Sequence, residues 1–182
     1  GVKSGEPGQP GNRVAAMALN HHQHLELIYA TIGIGAVSHP INIRLSRQHM
    51  AYTINHAGDA IMFVDEMLLP MLDLLYDEIK GTVKQFVLIS DNPEKPRTRV
   101  QPLYSYEDLI RDQPNNFDWP YLHEDTHATL YYTTGTTGLP KGCLYSHRQI
   151  YLSSVHVILE ALSQILLRRD LPWPRPPIST PM

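Results

Sequence analysis

Two kinds of apolar segment alternate along most of the 182-residue chain. Short apolar runs predict buried strands, and longer stretches with apolar residues every three or four positions predict helices. The predicted strands cover 13–19, 37–42, 59–65, 83–90 and 127–133, and the predicted helices cover 21–36, 47–57, 66–79, about 106–112 and 146–167. This order predicts an α/β fold with a layered, mostly parallel sheet and flanking helices, because a helix fills each crossover between parallel strands.

Capping residues mark several of the predicted helix ends. Asn20, with Gln23 three residues later, is typical of a capping box before the first helix. Ser46 is the expected N-cap of the second helix, and Gly58 is expected to end it. Ser105 is expected to cap the short helix near residue 106.

The two ends of the chain differ in composition from the middle. Residues 1–12 are dense in glycine and proline and predict a loop. Residues 168–182 carry five prolines among the last eleven positions, which predicts an extended tail outside the domain. We therefore expect residues 13–167 to form part of one domain, and the absence of an initiator methionine suggests a start inside a longer protein.

Composition excludes several classes of protein. The formal charge is −3, so the chain has no surplus of basic residues. Nucleic-acid binding is therefore not expected. No apolar run approaches the roughly 18 residues of a membrane helix, so no transmembrane segment is expected. The single cysteine, Cys143, excludes an internal disulfide and fits a cytoplasmic protein.

The stretch "YYTTGTTGLPKG", residues 131–142, is the strongest candidate for a functional site. Glycines let backbone N–H groups approach an anion, threonine hydroxyls add donors, and a lysine adds a charge. It does not fit the Walker loop, because Pro140 stands where that motif has glycine and Gly142 stands where it has Ser or Thr. It does not fit the dinucleotide fingerprint either, because Thr137 replaces a glycine. A strand, this loop and then a helix are expected in that order.

The stretch "YTTGTTGLPKG" closely resembles the phosphate loop of the AMP-forming adenylating enzymes, which include acyl-CoA synthetases and luciferases. "GNRVAAMALN", "GIGAVSHPINIRLS" and "YTINHAGDAIMFVD" resemble the segments that precede this loop in the same family. The resemblance covers about residues 11–165 and is strongest to medium- and long-chain fatty acid–CoA ligases.

The resemblance implies a reaction and its ligands. A fatty acid carboxylate attacks ATP to give an acyl-adenylate, and coenzyme A then displaces AMP. The phosphate-binding residues implied by the match are Thr133, Thr134, Gly135, Thr136, Thr137, Gly138 and Lys141. Lys141 would act in catalysis through its charge, and the Thr133 hydroxyl would be a ligand of Mg²⁺. Some full-length fatty acyl ligases of this type are homodimers.

Other parts of the family pattern do not occur in these 182 residues. There is no Y-G-x-T-E motif, no T-G-D motif and no C-terminal subdomain with an adenylation lysine. We therefore expect the chain alone to bind ATP no more tightly than about millimolar and to make no acyl-CoA. The alternative is a non-catalytic chain that acts at most as an interaction module.

A few further side chains have two readings. His21 and His24 have a spacing that permits a metal, although a solvated helix start is favoured. Cys143 is a candidate low-pKa thiol at a helix start, and a packing role is favoured. His147 could approach the phosphates, although a surface histidine is favoured. Tyr131 and Tyr132 alternate across a strand, so one of them could face a nucleotide, although core packing is favoured. The apolar positions of the helices at 68–79 and 150–167 are expected in the core, and the alternative is that part of their surface meets a missing subdomain or a partner subunit.

Overall fold

The structure is a computed structural model that describes residues 2–92, 96–133 and 138–167. It divides into two compact units, 1–147 and 148–182, which are described separately. Within the described residues, no helix is both long and apolar enough to cross a bilayer.

Strands and helices alternate along the described residues, and all of them except the last helix belong to the first unit. The strands are β1 (Arg13–Met17), β2 (Val37–Pro40), β3 (Asp59–Asp65), β4 (Gln85–Ile89), β5 (Leu103–Ser105), β6 (His127–Thr133) and β7 (Lys141–Ser146). The helices are α1 (His22–Gly33), α2 (Arg47–Ala57), α3 (Leu69–Ile79), α4 (Tyr106–Ile110) and α5 (His147–Leu167), and a 3₁₀ turn (Glu66–Leu68) precedes α3.

The strands form a sheet in the order β5-β4-β3-β1-β2-β6-β7. Every neighbouring pair is parallel except β6 and β7, which are antiparallel. The chain leaves β1 for β2 on one side and later returns to place β3 on the other side. The predicted α/β fold with a mostly parallel sheet is therefore confirmed, and the direction of winding reverses between β1 and β3.

Helices cover both faces of the sheet. Along β1, Val14 points to one face and clusters with Leu27 of α1, whereas Met17 points to the other face. On that second face lies the main core, where Ile54 of α2 and Leu72 of α3 are fully buried. A parallel sheet covered on both faces explains why the strands read as continuous apolar runs in the sequence.

Three of the predicted capping residues are confirmed. The Ser46 side chain accepts a hydrogen bond from the His49 amide, and Gly58 ends α2 in the left-handed conformation with φ of 68°. Ser105 caps α4. The expected cap at Asn20 is wrong, because the ring of His21 accepts the hydrogen bond from the His24 amide.

The sequence interpretation missed two strands. β5 has only three residues, which is too short for a periodic signal, and it pairs with the edge of β4. β7 follows the glycine-threonine loop directly, where a helix was expected. The loop therefore closes an antiparallel hairpin, and no helix N-terminus follows it.

Helix α5 differs from the expected core helix. It spans His147–Leu167, as predicted to within one residue. The expected burial of its apolar positions is wrong, because Leu152, Val157 and Leu159 are more than half exposed. In α3 the same expectation is confirmed, since Leu72 and Leu75 are fully buried.

Candidate functional site

The β6–β7 hairpin places the two ends of the loop opposite each other. Thr133 is the last residue of β6, Lys141 is the first of β7, and they are cross-strand partners. β6 runs parallel to β2, so its carboxyl end lies at the same edge of the sheet as those of the other parallel strands. Ligands of α/β proteins bind at this edge.

The loop itself is only partly described. The predicted residues Thr134, Gly135, Thr136 and Thr137 lie outside the described part of the chain. Gly138 has φ of 102°, a backbone conformation that side chains with a Cβ rarely adopt. A glycine is therefore required at this position to turn the chain back towards β7.

Two polar groups at the end of the hairpin are open to a ligand. Thr133 is exposed, and its Oγ1 is 3.5 Å from the Lys141 carbonyl oxygen, which is too long for a strong hydrogen bond. Lys141 is also exposed, and its ammonium has no hydrogen-bond or ion-pair partner among the described residues. A hydroxyl and a cation on opposite strands can together hold an anionic group.

The described residues fit a nucleotide-bound Mg²⁺ better than an independent metal site. Mg²⁺ takes oxygen ligands, commonly one or two carboxylates together with phosphate oxygens of the substrate. Thr133 can offer one hydroxyl oxygen. In residues 2–92, 96–133 and 138–167, no group of three His, Cys, Asp or Glu side chains could hold a metal. The ion would therefore depend on the phosphates for most of its ligands.

The two tyrosines before the loop lie on opposite faces of β6. Tyr131 is 48% exposed and packs edge-on against Tyr145 at 6.2 Å between ring centroids, so its expected burial in the core is wrong. Tyr132 is half-buried and joins the apolar cluster of Val37 and Leu130. Only Tyr132 therefore agrees with the packing expectation.

His147 lies at the end of β7 that is remote from the loop. Its amide donates to the Thr126 carbonyl oxygen at 3.0 Å, just before β6 begins. It lies six positions along the extended chain from Lys141, a distance of roughly 20 Å. Burial lowers the pKa of His147, and a hydrogen bond to the Ile32 backbone opposes that shift. The possible approach to phosphates held at Lys141 is wrong.

Two other sequence candidates also have structural roles. Cys143 is half-buried within β7, so it does not lie at a helix start. The His21 ring caps α1 and its Nε2 is 2.8 Å from the Asp65 carboxylate. The Nδ1 of His24 lies 3.0 Å from the Leu19 carbonyl oxygen. His21 and His24 thus stabilise the start of α1.

Residues that the sequence interpretation missed lie directly beside Tyr132. His39 and Asp59 form a fully buried pair, with Nδ1 2.8 Å from Oδ2. His56 Nδ1 is 2.7 Å from the Tyr132 hydroxyl. The available signal was the presence of His39 inside an apolar strand, because a buried charged group needs a partner.

Two cavities open at the carboxyl edge of the sheet. One of about 280 Å³ lies at the ends of β2 and β6 and is lined in part by His39, Asn42, Thr53 and Tyr132. The other, of about 490 Å³, lies at the ends of β1, β3 and β4.

The acidic groups of the larger cavity are already paired within the protein. Asp65 accepts from the Leu19 amide at 2.6 Å and contacts the His21 ring. Glu66 accepts from the Ser90 hydroxyl.

The structure is that of an α/β protein in which the β6–β7 hairpin carries Thr133, Gly138 and Lys141 at the carboxyl edge of a mostly parallel sheet. The sequence matches the AMP-binding enzyme family over residues 8–169, and the chain belongs to this family. That match and the acyl-CoA ligase relatives confirm the resemblance found in the sequence.

The chain spans about a quarter of the length of its curated relatives. It is 42% identical to the 3-methylmercaptopropionyl-CoA ligase of Ruegeria lacuscaerulensis, over 80% of this chain and 27% of that protein. It is 41% identical to the medium-chain-fatty-acid–CoA ligase of Ectopseudomonas oleovorans, over 80% of this chain and 27% of that protein.

Solved structures confirm the fold. An anthranilate CoA ligase in complex with anthranoyl-AMP matches 80% of this chain and 26% of its own, with a TM-score of 0.68 and 23% identity. A Mycobacterium tuberculosis fatty acyl CoA synthetase matches 76% of this chain and 24% of its own, with a TM-score of 0.57 and 23% identity.

Proposed function

We propose that this chain carries the phosphate-binding hairpin of an AMP-forming acyl-CoA ligase. In this proposal, residues 133–138 and Lys141 hold the β- and γ-phosphates of ATP, and the Thr133 hydroxyl contributes to Mg²⁺ bound with the nucleotide. The supporting observation is the pairing of Thr133 with Lys141 across the end of the β6–β7 hairpin, at the carboxyl edge of the sheet.

The chemistry required of this site is electrostatic. A carboxylate oxygen of the substrate attacks the α-phosphorus of ATP, and the bond from that phosphorus to the bridging oxygen breaks. Negative charge then grows on the departing pyrophosphate. In this proposal the Lys141 ammonium and the donors of the loop stabilise that charge electrostatically as it develops. No residue of the hairpin acts as a nucleophile.

We further propose that the carboxylate is a fatty acid or a similar small acid and that the acceptor is coenzyme A. The names of the relatives support this assignment, since they include medium-chain and long-chain fatty acid–CoA ligases. In the second half-reaction, the thiol of coenzyme A attacks the acyl carbon, and AMP leaves with the bonding electrons.

The proposed domain limits are 13–167 for the adenylation-domain portion and 168–182 for a segment outside it. The family match, which ends at residue 169, supports this division.

For the 182-residue chain alone, we propose weak nucleotide binding without turnover. Net hydrogen bonds to a charged group contribute about 1.5–3 kcal/mol each. A few such bonds, less the cost of association, correspond to a dissociation constant no better than about 1 mM.

The exposed apolar residues of α5 favour a second candidate, in which the chain acts only as an interaction module. Absence of any nucleotide binding would favour that candidate.

The test is a titration of the chain with Mg-ATP, in which amide NMR chemical shifts report binding. Saturable shifts at Thr133, Gly138 and Lys141 are expected. Lys141→Ala should weaken binding about tenfold or more, because it removes a charge-assisted contact.

The matched control is Lys84→Ala, because Lys84 is an exposed lysine that directly precedes β4, at the amino end of the parallel strands and away from their carboxyl ends. This variant should bind like the wild type. Equal losses of affinity in the two variants would mean that ATP binding depends only on the overall charge of the chain, and the proposed site would be wrong.

A further inference from the structure

The last residue but one of β6 attaches the hairpin to the helix layer. The Tyr132 hydroxyl lies 2.7 Å from Nδ1 of His56, which is in the last turn of α2. The His56 ring stacks in turn on Tyr52 at 5.2 Å between centroids. Because Thr133 follows Tyr132 directly, any shift of this tyrosine is passed to the residue that opens the loop.

The Tyr132 ring also contacts one member of a buried ionisable pair. The His39 and Tyr132 ring centroids are 5.2 Å apart. His39 is held by both carboxylate oxygens of Asp59, at 2.8 and 3.0 Å from Nδ1. The two residues are 1% and 0% exposed, so this pair has little freedom to move. Burial raises the pKa of Asp59, and the hydrogen bond from His39 opposes that shift.

The Tyr132 ring also reaches across to the second strand of the hairpin. Tyr132 is the cross-strand partner of Gly142. A Cβ atom at Gly142 would lie 3.3 Å from Cζ of Tyr132 and 3.2 Å from Cδ1 of Leu130. The absence of a side chain at Gly142 therefore allows the aromatic ring to lie close over the backbone of β7, as in other tyrosine–glycine strand pairs.

The phenol keeps its proton in neutral solution. Burial, followed by the charge of Asp59, raises the pKa of Tyr132 to about 12. The hydroxyl can therefore donate to His56 at physiological pH, and the contact does not depend on ionisation of the tyrosine.

We propose that Tyr132 is a positioning residue, which holds the base of the hairpin against His56 and His39 so that Thr133 stays aligned with Lys141. The inference rests on the proposed function, since the alignment matters only if these two residues share a phosphate ligand. Tyr132 touches no ligand in this proposal and acts through Thr133 alone.

The first measurement needs no nucleotide. Tyr132→Phe keeps the ring and removes only the hydroxyl that reaches His56. Amide hydrogen exchange should accelerate about threefold to fivefold at the β6–β7 pairs next to the loop, which is the effect of losing one net hydrogen bond. Tyr131→Phe is the matched control, because that ring lies on the opposite face of the same strand and is 48% exposed. Equal exchange in the two variants would overturn the inference.

The second measurement is Mg-ATP affinity by NMR titration, at a temperature where every variant is folded. Tyr132→Phe should raise the dissociation constant about threefold to fivefold. Tyr76→Phe is the comparison variant, because it also removes a phenol hydroxyl, which donates to the Gln101 carbonyl oxygen at 2.8 Å and accepts from the Gln101 amide at 3.3 Å, far along the sheet. A general loss of stability would affect both variants equally, and that result would contradict a positioning role.

A double-mutant cycle with His56→Ala identifies the contact. If Tyr132 acts through His56, the double variant should bind Mg-ATP no more weakly than the poorer single variant. Additive losses would contradict this route. If the wild type binds no Mg-ATP, the proposed function fails, while the exchange measurement still decides whether Tyr132 fixes the hairpin.

Discussion

Two buried threonines differ in whether their hydroxyl groups have a partner. Thr53 is 2% exposed and donates to the Met50 carbonyl oxygen at 2.9 Å. Thr129 is 7% exposed, and its Oγ1 has no hydrogen-bond partner among the described residues. A buried hydroxyl without a partner has lost its hydrogen bonds to water and has no protein hydrogen bond to replace them, so it destabilises the folded state. The same substitution should therefore have different effects at the two sites.

Thr129→Val is expected to leave the free energy of unfolding unchanged or to raise it by up to about 1 kcal/mol, because valine fills the same space without an unpaired hydroxyl. Thr53→Val should lower it by about 1 kcal/mol. Urea unfolding of the two variants checks this difference. A larger loss at Thr129 than at Thr53 would show that the Thr129 hydroxyl is paired.

At the scale of secondary-structure elements, the ends of α2 depend on local chemistry that is visible in the sequence. The Ser46 hydroxyl accepts from the His49 amide at 3.3 Å. Gly58 takes a left-handed conformation that ends the helix. A serine before a helical pattern and a glycine after it are local signals, so tertiary context was not needed to find them.

Ser46→Ala should lower the free energy of unfolding by about 1 kcal/mol, because one amide of the first turn loses its partner. Ser46→Asp should retain most of the stability, since a carboxylate can accept the same hydrogen bond and favours the helix N-terminus. Thermal and urea unfolding measure both effects. Equal losses in the two variants would show that Ser46 does not act as a cap.

The strands that the sequence predicted and the strands that it missed differ in burial. β3 and β4 lie inside the sheet and read as apolar runs. β5 and β7 are the two edges, and neither has a fully apolar pattern. Edge strands receive much of their stability from one neighbour, so their own sequence carries a weaker signal.

The sequence predicted the chemical groups of the candidate site, but it predicted their arrangement only in part. The sequence identified Thr133, Gly138 and Lys141, but it placed a helix directly after them. The hairpin depends on pairing between residues 133 and 141, which no local pattern specifies. His39 of β2 and Asp59 at the start of β3 are 20 positions apart, and their side chains meet across the intervening strand β1, a tertiary contact that no local pattern specifies.

At the scale of the whole molecule, stability depends mainly on the core between the sheet and helices α2 and α3. Leu72 of α3 is fully buried in this core, whereas Leu74 on the same helix is 63% exposed. The free energy of unfolding of a typical domain is only about 5–15 kcal/mol. Losing one buried leucine therefore removes a large part of the total.

Leu72→Ala is expected to lower the free energy of unfolding by about 2–5 kcal/mol, because it removes buried apolar surface and leaves a cavity. Leu74→Ala is the matched control, with the same change in helix composition, and should have an effect within about 0.5 kcal/mol. Circular dichroism during urea unfolding measures both. Similar losses would show that α3 does not pack through Leu72.

The hairpin has a thermodynamic consequence for any ligand of its loop. Bringing two distant points of a chain together reduces conformational entropy. Here Thr133 and Lys141 are joined by strand pairing, so that entropy is lost when the protein folds. The binding free energy of a ligand is therefore not reduced by the cost of bringing the two ends together. Substitutions that disrupt the β6–β7 pairing should weaken ligand affinity before they unfold the protein.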